Sequence, residues 1–119
     1  MLHHVSLEVP QDEVDRTVEF WGLLGFVCVE PPEPIAPFVT WLERDATQIH
    51  LIHTDSPVVP LLGHPAVVAP DFEGTAKALR TAGFEVEDAR QLWGESRGFA
   101  IAPGGHRVEL MAAPPPPAA

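Results

Sequence analysis

The feature that most constrains this chain is that it repeats itself. His64 follows His4 and Pro70 follows Pro10 by 60 positions, Gly83 and Phe84 follow Gly25 and Phe26 by 58, and Glu109 follows His50 by 59. A period of this length means one supersecondary unit used twice, with neither copy able to bury its own apolar face alone. The repeating unit can be read from its first copy. Leu2 to Val9 alternates as a half-buried strand, with Val5, Leu7 and Val9 on one face and His4, Ser6 and Glu8 on the other. Pro10 ends it, and Asp12 is placed to cap a helix, or to supply its first-turn acid, running to about Leu24. Val14, Val18, Trp21 and Leu24 step by three and four along that helix, and Gly25 suits the residue just past its end. Phe26 to Val29 reads as a second strand. Pro31-Pro32-Glu33-Pro34 and Pro37 predict a stiff, extended connection without helix. Phe38 to Glu43 and Thr47 to His53 read as two more strands, turned at Arg44-Asp45-Ala46.

The second copy follows the same order. His64 to Ala69 reads as a strand ended by Pro70, Asp71 caps a helix to about Ala82, and Gly83 stops it. Phe84 to Val86, Gly98 to Ala102 and His106 to Met111 complete the unit. The reading is an α+β domain of two βαβββ modules, residues 1–54 and 64–111, joined by a linker at 55–63. The Pro- and Ala-rich stretch 112–119 is expected to be a disordered tail.

Composition narrows the classes of function. A chain of 119 residues is one ordinary domain, long enough to bury roughly two-thirds of its unfolded surface without disulfides. Its one cysteine, Cys28, excludes an internal disulfide framework and is expected to be a small core residue. Seventeen acidic against seven basic residues give a net charge of −10, which argues against nucleic-acid and membrane-surface partners. No apolar run approaches a membrane span and no signal peptide is evident, so a cytoplasmic protein is expected.

Six histidines beside a single lysine need an explanation, and the repeat supplies one. Strand alternation puts His4, His50, His64 and Glu109 on the faces opposite Val5 and Leu7, Ile49 and Leu51, Val67, and Val108 and Leu110. Matching positions of two similar halves converge on a pseudo-twofold axis. Three imidazoles and one carboxylate suffice for a divalent ion. Each of these residues also has a plainer role open to it, as a surface or packing residue, and His50 has the further option of standing beside the ligands rather than among them. Glu8 shares the face of His4, and Gln48 shares that of His50. Arg97, in Trp93-Gly94-x-x-Arg97, either orients an anionic substrate or pairs with a carboxylate. Trp41 and Trp93 either line the site or pack. His3 is expected on the face away from His4, with His53 and His106 as bystanders.

His4-Val5-Ser6-Leu7-Glu8-Val9-Pro10, Phe20-Trp21-x-x-Leu24-Gly25-Phe26, Trp93-Gly94 and Gly105-His106-Arg107-Val108-Glu109-Leu110 resemble the vicinal oxygen chelate superfamily. That superfamily includes glyoxalase I, methylmalonyl-CoA epimerase, fosfomycin-resistance transferases, extradiol dioxygenases and bleomycin-binding proteins. The resemblance covers the chain almost to Met111 and implies a cupped mixed sheet, the glyoxalase/bleomycin-resistance-like fold, holding a metal in the cup. It places the metal ligands on His4, His50, His64 and Glu109. Three departures stand out: His50 where relatives carry glutamate or glutamine, Ala102 where an aspartate often precedes the proline of the turn, and Trp21 where tyrosine is common.

By the resemblance, the lead expectation is a metal-dependent enzyme of isomerase or lyase type, acting on a small molecule through a metal-chelated oxyanion. Glu109 would be ligand and base, with Glu8 as the alternative base, and Gln48, Trp41 and Arg97 would contact substrate. The ligand set suits zinc, nickel, cobalt, iron or manganese. The alternatives are a metal-free, dimeric drug- or cation-binding protein, which the acidity and aromatic content fit, and a non-haem iron dioxygenase using His4, His64 and Glu109. A homodimer is expected. The cup closes either within one chain or with His4 and His50 from one subunit and His64 and Glu109 from the other.

Overall fold

The computed structural model describes residues 1–118 and carries the predicted order twice. The first half runs β1 (His4–Val9), α1 (Val14–Leu23), β2 (Val27–Val29), β3 (Val39–Arg44) and β4 (Thr47–His53). The second runs β5 (Ala66–Val68), α2 (Phe72–Thr81), β6 (Glu85–Ala89), β7 (Arg97–Ile101) and β8 (Arg107–Met111). Each half forms its own four-stranded mixed sheet, in the order β1-β4-β3-β2 and β5-β8-β7-β6. The outer strand β1 or β5 runs parallel to β4 or β8, and the other pairings are antiparallel.

The apolar faces of both halves meet in one core. Leu7, Val9, Phe20, Trp21, Leu42 and Leu51 from the first half share it with Phe72, Leu79, Ala100, Val108 and Leu110 from the second. α1 meets the residues just past α2, where the Phe20 ring packs against Phe84 edge-on at 5.3 Å, and the Arg16 guanidinium lies 3.9 Å above the Phe84 ring. Arg16 also donates to the Ala82 carbonyl, one of the acceptors left open at the end of α2. Gly25 and Gly83 both sit at φ +91°, the left-handed backbone that ends each helix without a Cβ penalty.

Two polar clasps close the seam at equivalent places. Arg44, at the end of β3, donates to the Leu24 carbonyl at 3.1 Å and across the seam to that of Val68 at 3.0 Å. His106, leading into β8, donates Nε2–H to the Glu8 carbonyl at 2.7 Å. Glu8 and Val68 are themselves one repeat apart, so the hairpin turn of each half grips the same backbone carbonyl of the other. His106 is thus a buried tie between the halves and no bystander. Strand alternation missed it because the residue precedes the strand and acts through the turn.

Other expectations shift as well. Asp12 does not cap α1: Gln11–Glu13 forms a 3₁₀ turn, and the helix starts at Val14 without a side-chain cap. Asp71 does cap α2, accepting from the Gly74 N–H at 3.1 Å. The Pro-rich connection contains a 3₁₀ helix, Glu33–Phe38, with Pro34 at its start, where a missing N–H costs nothing. His64 precedes β5, which is three residues long. Cys28 is exposed, because β2 is an edge strand covered on one side only. The chain stays bound to the domain through Ala113: Ala112 N–H donates to the Ser96 carbonyl at 2.9 Å, and Trp93 Nε1–H to that of Ala113 at 2.9 Å. Ala119 lies outside the described residues.

Two substitutions test this account. The β3–β4 turn holds Asp45 at φ 49° and Ala46 at φ 63°. A two-residue hairpin turn of this kind favours Asp-Gly. Ala46→Gly should therefore raise the unfolding free energy by roughly 0.5–1 kcal/mol in a denaturant titration. His106→Ala removes a buried side chain and its bond across the seam, and should cost about 2 kcal/mol in the same assay.

Candidate functional site

Strand register decides which side chains share a face. In the first sheet, His4 stands opposite Gln48, Ser6 opposite His50, Trp41 opposite His50 and Glu43 opposite Gln48. His4, Gln48, His50, Trp41 and Glu43 therefore share the face turned away from the core. Their rings form a stack. Trp41 lies against His50 at 4.1 Å with 2° between planes, and His50 lies against His4 at 4.0 Å with 18°. His50 Nε2–H donates to Gln48 Oε1 at 2.7 Å, and Gln48 Nε2–H to Glu43 Oε1 at 3.0 Å. Glu43 thereby orients the amide that orients the imidazole. His3 joins this group with its Nδ1 3.0 Å from that of His4. It does not turn to the opposite face, because it precedes β1 and strand alternation does not govern it.

The second sheet carries the other pair. Ala66 and Phe99 flank Glu109 in register, so Phe99 and Glu109 share a face, and period two adds Arg97 and Arg107. His64 Nδ1–H donates to the Leu62 carbonyl at 2.8 Å, and Nε2 meets Glu109 Oε1 at 3.0 Å. Arg97 Nε–H donates to Glu109 Oε2 at 3.2 Å, so both carboxylate oxygens are engaged. Of the two roles open to Arg97, the structure places it in the ion pair; its terminal N–H also donates to the Arg90 carbonyl at 2.9 Å. The Phe99 ring is met edge-on by His64 at 5.1 Å and overlaid by the Arg107 guanidinium at 4.2 Å.

Glu8 lies on the first face, and its Oε1 accepts the Val58 N–H at 3.0 Å, which ties the linker to β1. His53 turns away from this face, with Nε2 2.9 Å from Thr40 Oγ1. Sequence reasoning overlooked Glu43, Phe99 and Arg107, and set His3 on the wrong face. The signal for Arg107 was present: it precedes Glu109 by two residues, as Gln48 precedes His50.

The donor chemistry suits a divalent ion, and the placement sets a condition on it. His64 has the arrangement of a metal-ligating histidine, one ring nitrogen anchored on a backbone carbonyl and the other aimed at a carboxylate. Ligands bound at about 2.1 Å at a right angle stand about 3 Å apart, close to the His64–Glu109 separation once the shared proton is lost. His4 and His50 differ. Lone pairs lie in the ring plane, so two nearly parallel rings do not converge on one ion. His50 has also committed Nε2 to Gln48, leaving Nδ1 as its open nitrogen. The two pairs belong to different sheets. Among the described residues, no three His, Cys, Asp or Glu side chains come together closely enough to hold an ion. Two hollows in the surface, one at Arg44, Thr47 and Val67 and one at Phe72, Asp88 and Arg97, include none of the four predicted ligands.

Burial among apolar and aromatic neighbours pushes the His50 pKa below its ordinary 6.5, and the nearby His4 and His3 push it the same way. As the pH falls, the unfolded chain therefore takes up this proton first. Stability from neutral His50 is complete above about 6.5, falls as the pH drops below that, and levels once folded His50 is itself protonated. In thermal melts of chelator-treated protein, His50→Gln should lose less stability than the parent between about pH 7 and pH 5.

No protein-family model matches the sequence, and no curated protein matches it. Solved structures do. A glyoxalase family protein from Bacillus anthracis superposes with a TM-score of 0.82 at 21% identity, over 93% of each chain. The oxidase ChaP-H2 gives 0.75 at 16% identity, over 97% of this chain and 94% of that one. A bleomycin resistance determinant encoded on the transposon Tn5 gives 0.62 at 17% identity, over 90% and 94%. The likeness expected from the motifs therefore holds at the level of architecture: the chain has the α+β glyoxalase/bleomycin-resistance-like fold.

Proposed function

We propose that this chain is a metal-dependent, small-molecule enzyme of the vicinal oxygen chelate type, with its site completed by a second copy of itself. The observation that carries this reading is the His64–Glu109 pair, held 3.0 Å apart with the far side of the imidazole anchored on Leu62. One repeat earlier, the other half offers a second polar face bearing His4 and His50. Each face is open on a lone chain, and an open sheet face becomes an enclosed site only when another surface covers it. In a symmetric dimer, His4 of one subunit would meet His64 and Glu109 of the other, and both faces would be used twice. His50 stands behind His4, fixing its ring by stacking.

A bound divalent ion would supply Lewis-acid stabilisation of an oxyanion on substrate, the chemistry of isomerases and lyases in this fold. Its donor types admit zinc, nickel, cobalt, iron or manganese. The residues do the rest. Glu109 is ligand and proton acceptor, and Arg97 fixes its second oxygen. Glu8 is the alternative base, with one oxygen held by the linker. Trp41 and Gln48 shape the opposite wall through their hold on His50.

One observation favours a second reading. With His50 committed to Gln48, the remaining donors are two histidines and one carboxylate, the set used by non-haem iron oxygenases. Metal-free sequestration of a cationic drug is the remaining class, supported by the net charge of −10 and the aromatic stack of Trp41, His50 and His4.

Elemental analysis of tag-free protein tests the proposal. The parent should hold about one transition metal per chain, and His4→Ala and Glu109→Ala should each lose it. A 1:1 mixture of the two variants, dissociated and reassociated, should regain about a quarter of the parent's metal. Half of the random dimers are mixed, and each mixed dimer has one intact site. Recovery of none would place the ligands within one chain. A parent that neither holds nor takes up metal points instead to the sequestering protein.

A further inference from the structure

We infer that the second sheet carries an oxyanion subsite, formed by Arg107 over Phe99, for the carboxylate or phosphate of a small-molecule ligand. It deepens the proposed function by naming a substrate class, and as a substrate subsite it rests on that reading; the binding of an anion can be tested without it.

The chain has seven basic residues against seventeen acidic ones, so its cations should find partners easily. Arg16, Arg44, Arg80 and Arg97 do, each with a carboxylate. Among the described residues, Lys77, Arg90 and Arg107 have neither an ion pair nor a side-chain hydrogen bond. Lys77 and Arg90 are exposed and hydrated, as such residues usually are. Arg107 is half-buried. Its guanidinium lies 4.2 Å above the Phe99 ring, an arrangement that fixes the plane and leaves the N–H edge free.

That edge belongs to the face of Glu109. Arg107 and Glu109 are two apart on β8, which sets their backbones about 7 Å from each other on one side of the sheet. Glu85 and Glu87 of β6 share this face by register, two strands away, and neither reaches ion-pair distance. A planar donor edge that is partly desolvated, preorganised and unpaired matches an oxyanion bound through two parallel N–H···O bonds. Arg97, the sequence-level candidate for this task, is already held by Glu109 and the Arg90 carbonyl. Among the described residues, Arg107 is the cation of this face without an ion pair. The ligand that fits is an organic acid or phosphate ester whose charged group stands one strand step from the atoms that reach Glu109.

The test uses chelator-treated protein labelled with ¹⁵N, titrated with benzoate, phenyl phosphate or neutral benzamide, reading the arginine Nε–Hε signals. A saturable shift at Arg107 with benzoate or phenyl phosphate, and none with benzamide, is expected; the two acids tell carboxylate from phosphate preference. Arg107→Gln should weaken binding roughly tenfold and Arg107→Lys nearly as much, since lysine loses the planar fork. Lys77→Gln should leave it unchanged. Equal shifts with benzamide, parental affinity in Arg107→Gln, or no saturable shift would each overturn the inference. Unchanged signal dispersion confirms that each variant folds. Because no metal is present, failure here leaves the metal analysis standing, and an absent metal leaves this result standing.

Discussion

A single βαβββ unit has a sheet that is apolar on one face, and one short helix cannot cover it. The shared core is the constraint from which the rest of the molecule follows. Phe20 and Trp21 of one helix and Phe72 and Leu79 of the other fill one apolar interior. Because both sheets turn their apolar faces inward, both polar faces must turn out. The chemistry-bearing residues are thus displayed as two separate surfaces, His4 with His50 on one and His64 with Glu109 on the other. Burying the core within the chain separates these residues, and that separation is what the proposed second copy would bridge.

Much of the architecture was legible because the repeat and strand alternation are local signals that tertiary contacts reinforced. Gly25 and Gly83 end their helices in the left-handed backbone that their spacing suggests, and Asp71 caps α2. What failed did so where packing, not periodicity, decides. Asp12 has the composition of a cap, yet Pro10 and the Gln11–Glu13 turn delay the helix past it. Cys28 looks like a core residue by type, and edge-strand geometry leaves it exposed. Both His3 and His106 lie just outside strands, where alternation is silent, and His106 is held by a carbonyl 98 residues away that no linear pattern reveals.

The same distinction runs through the site. Membership of a face follows from strand alternation, so His4, His50, Glu109 and Gln48 could be placed from sequence, whereas Trp41 needed the strand register. How each atom is spent could not. His50 commits one nitrogen to Gln48 and both ring faces to its neighbours, while His64 anchors one nitrogen on a carbonyl and aims the other. Two histidines that look equivalent in the sequence differ in space, one engaged by its neighbours and the other anchored on one side and aimed from the other. The charge of −10 hides a similar inequality, since among the described residues Arg107 has no carboxylate partner despite their surplus around the molecule.

The seam has a further consequence for how such a chain can change. Both clasps end on backbone carbonyls, those of Glu8 and Val68. Every residue type provides that acceptor, so replacing the side chain at either position leaves the grip intact. Even the donors differ, an arginine on one side and an imidazole on the other. The union of the halves is therefore insulated from the chemistry on their outward faces. One half can acquire new ligands or lose old ones without a compensating change in the other, as expected of a scaffold whose two sides are free to diverge.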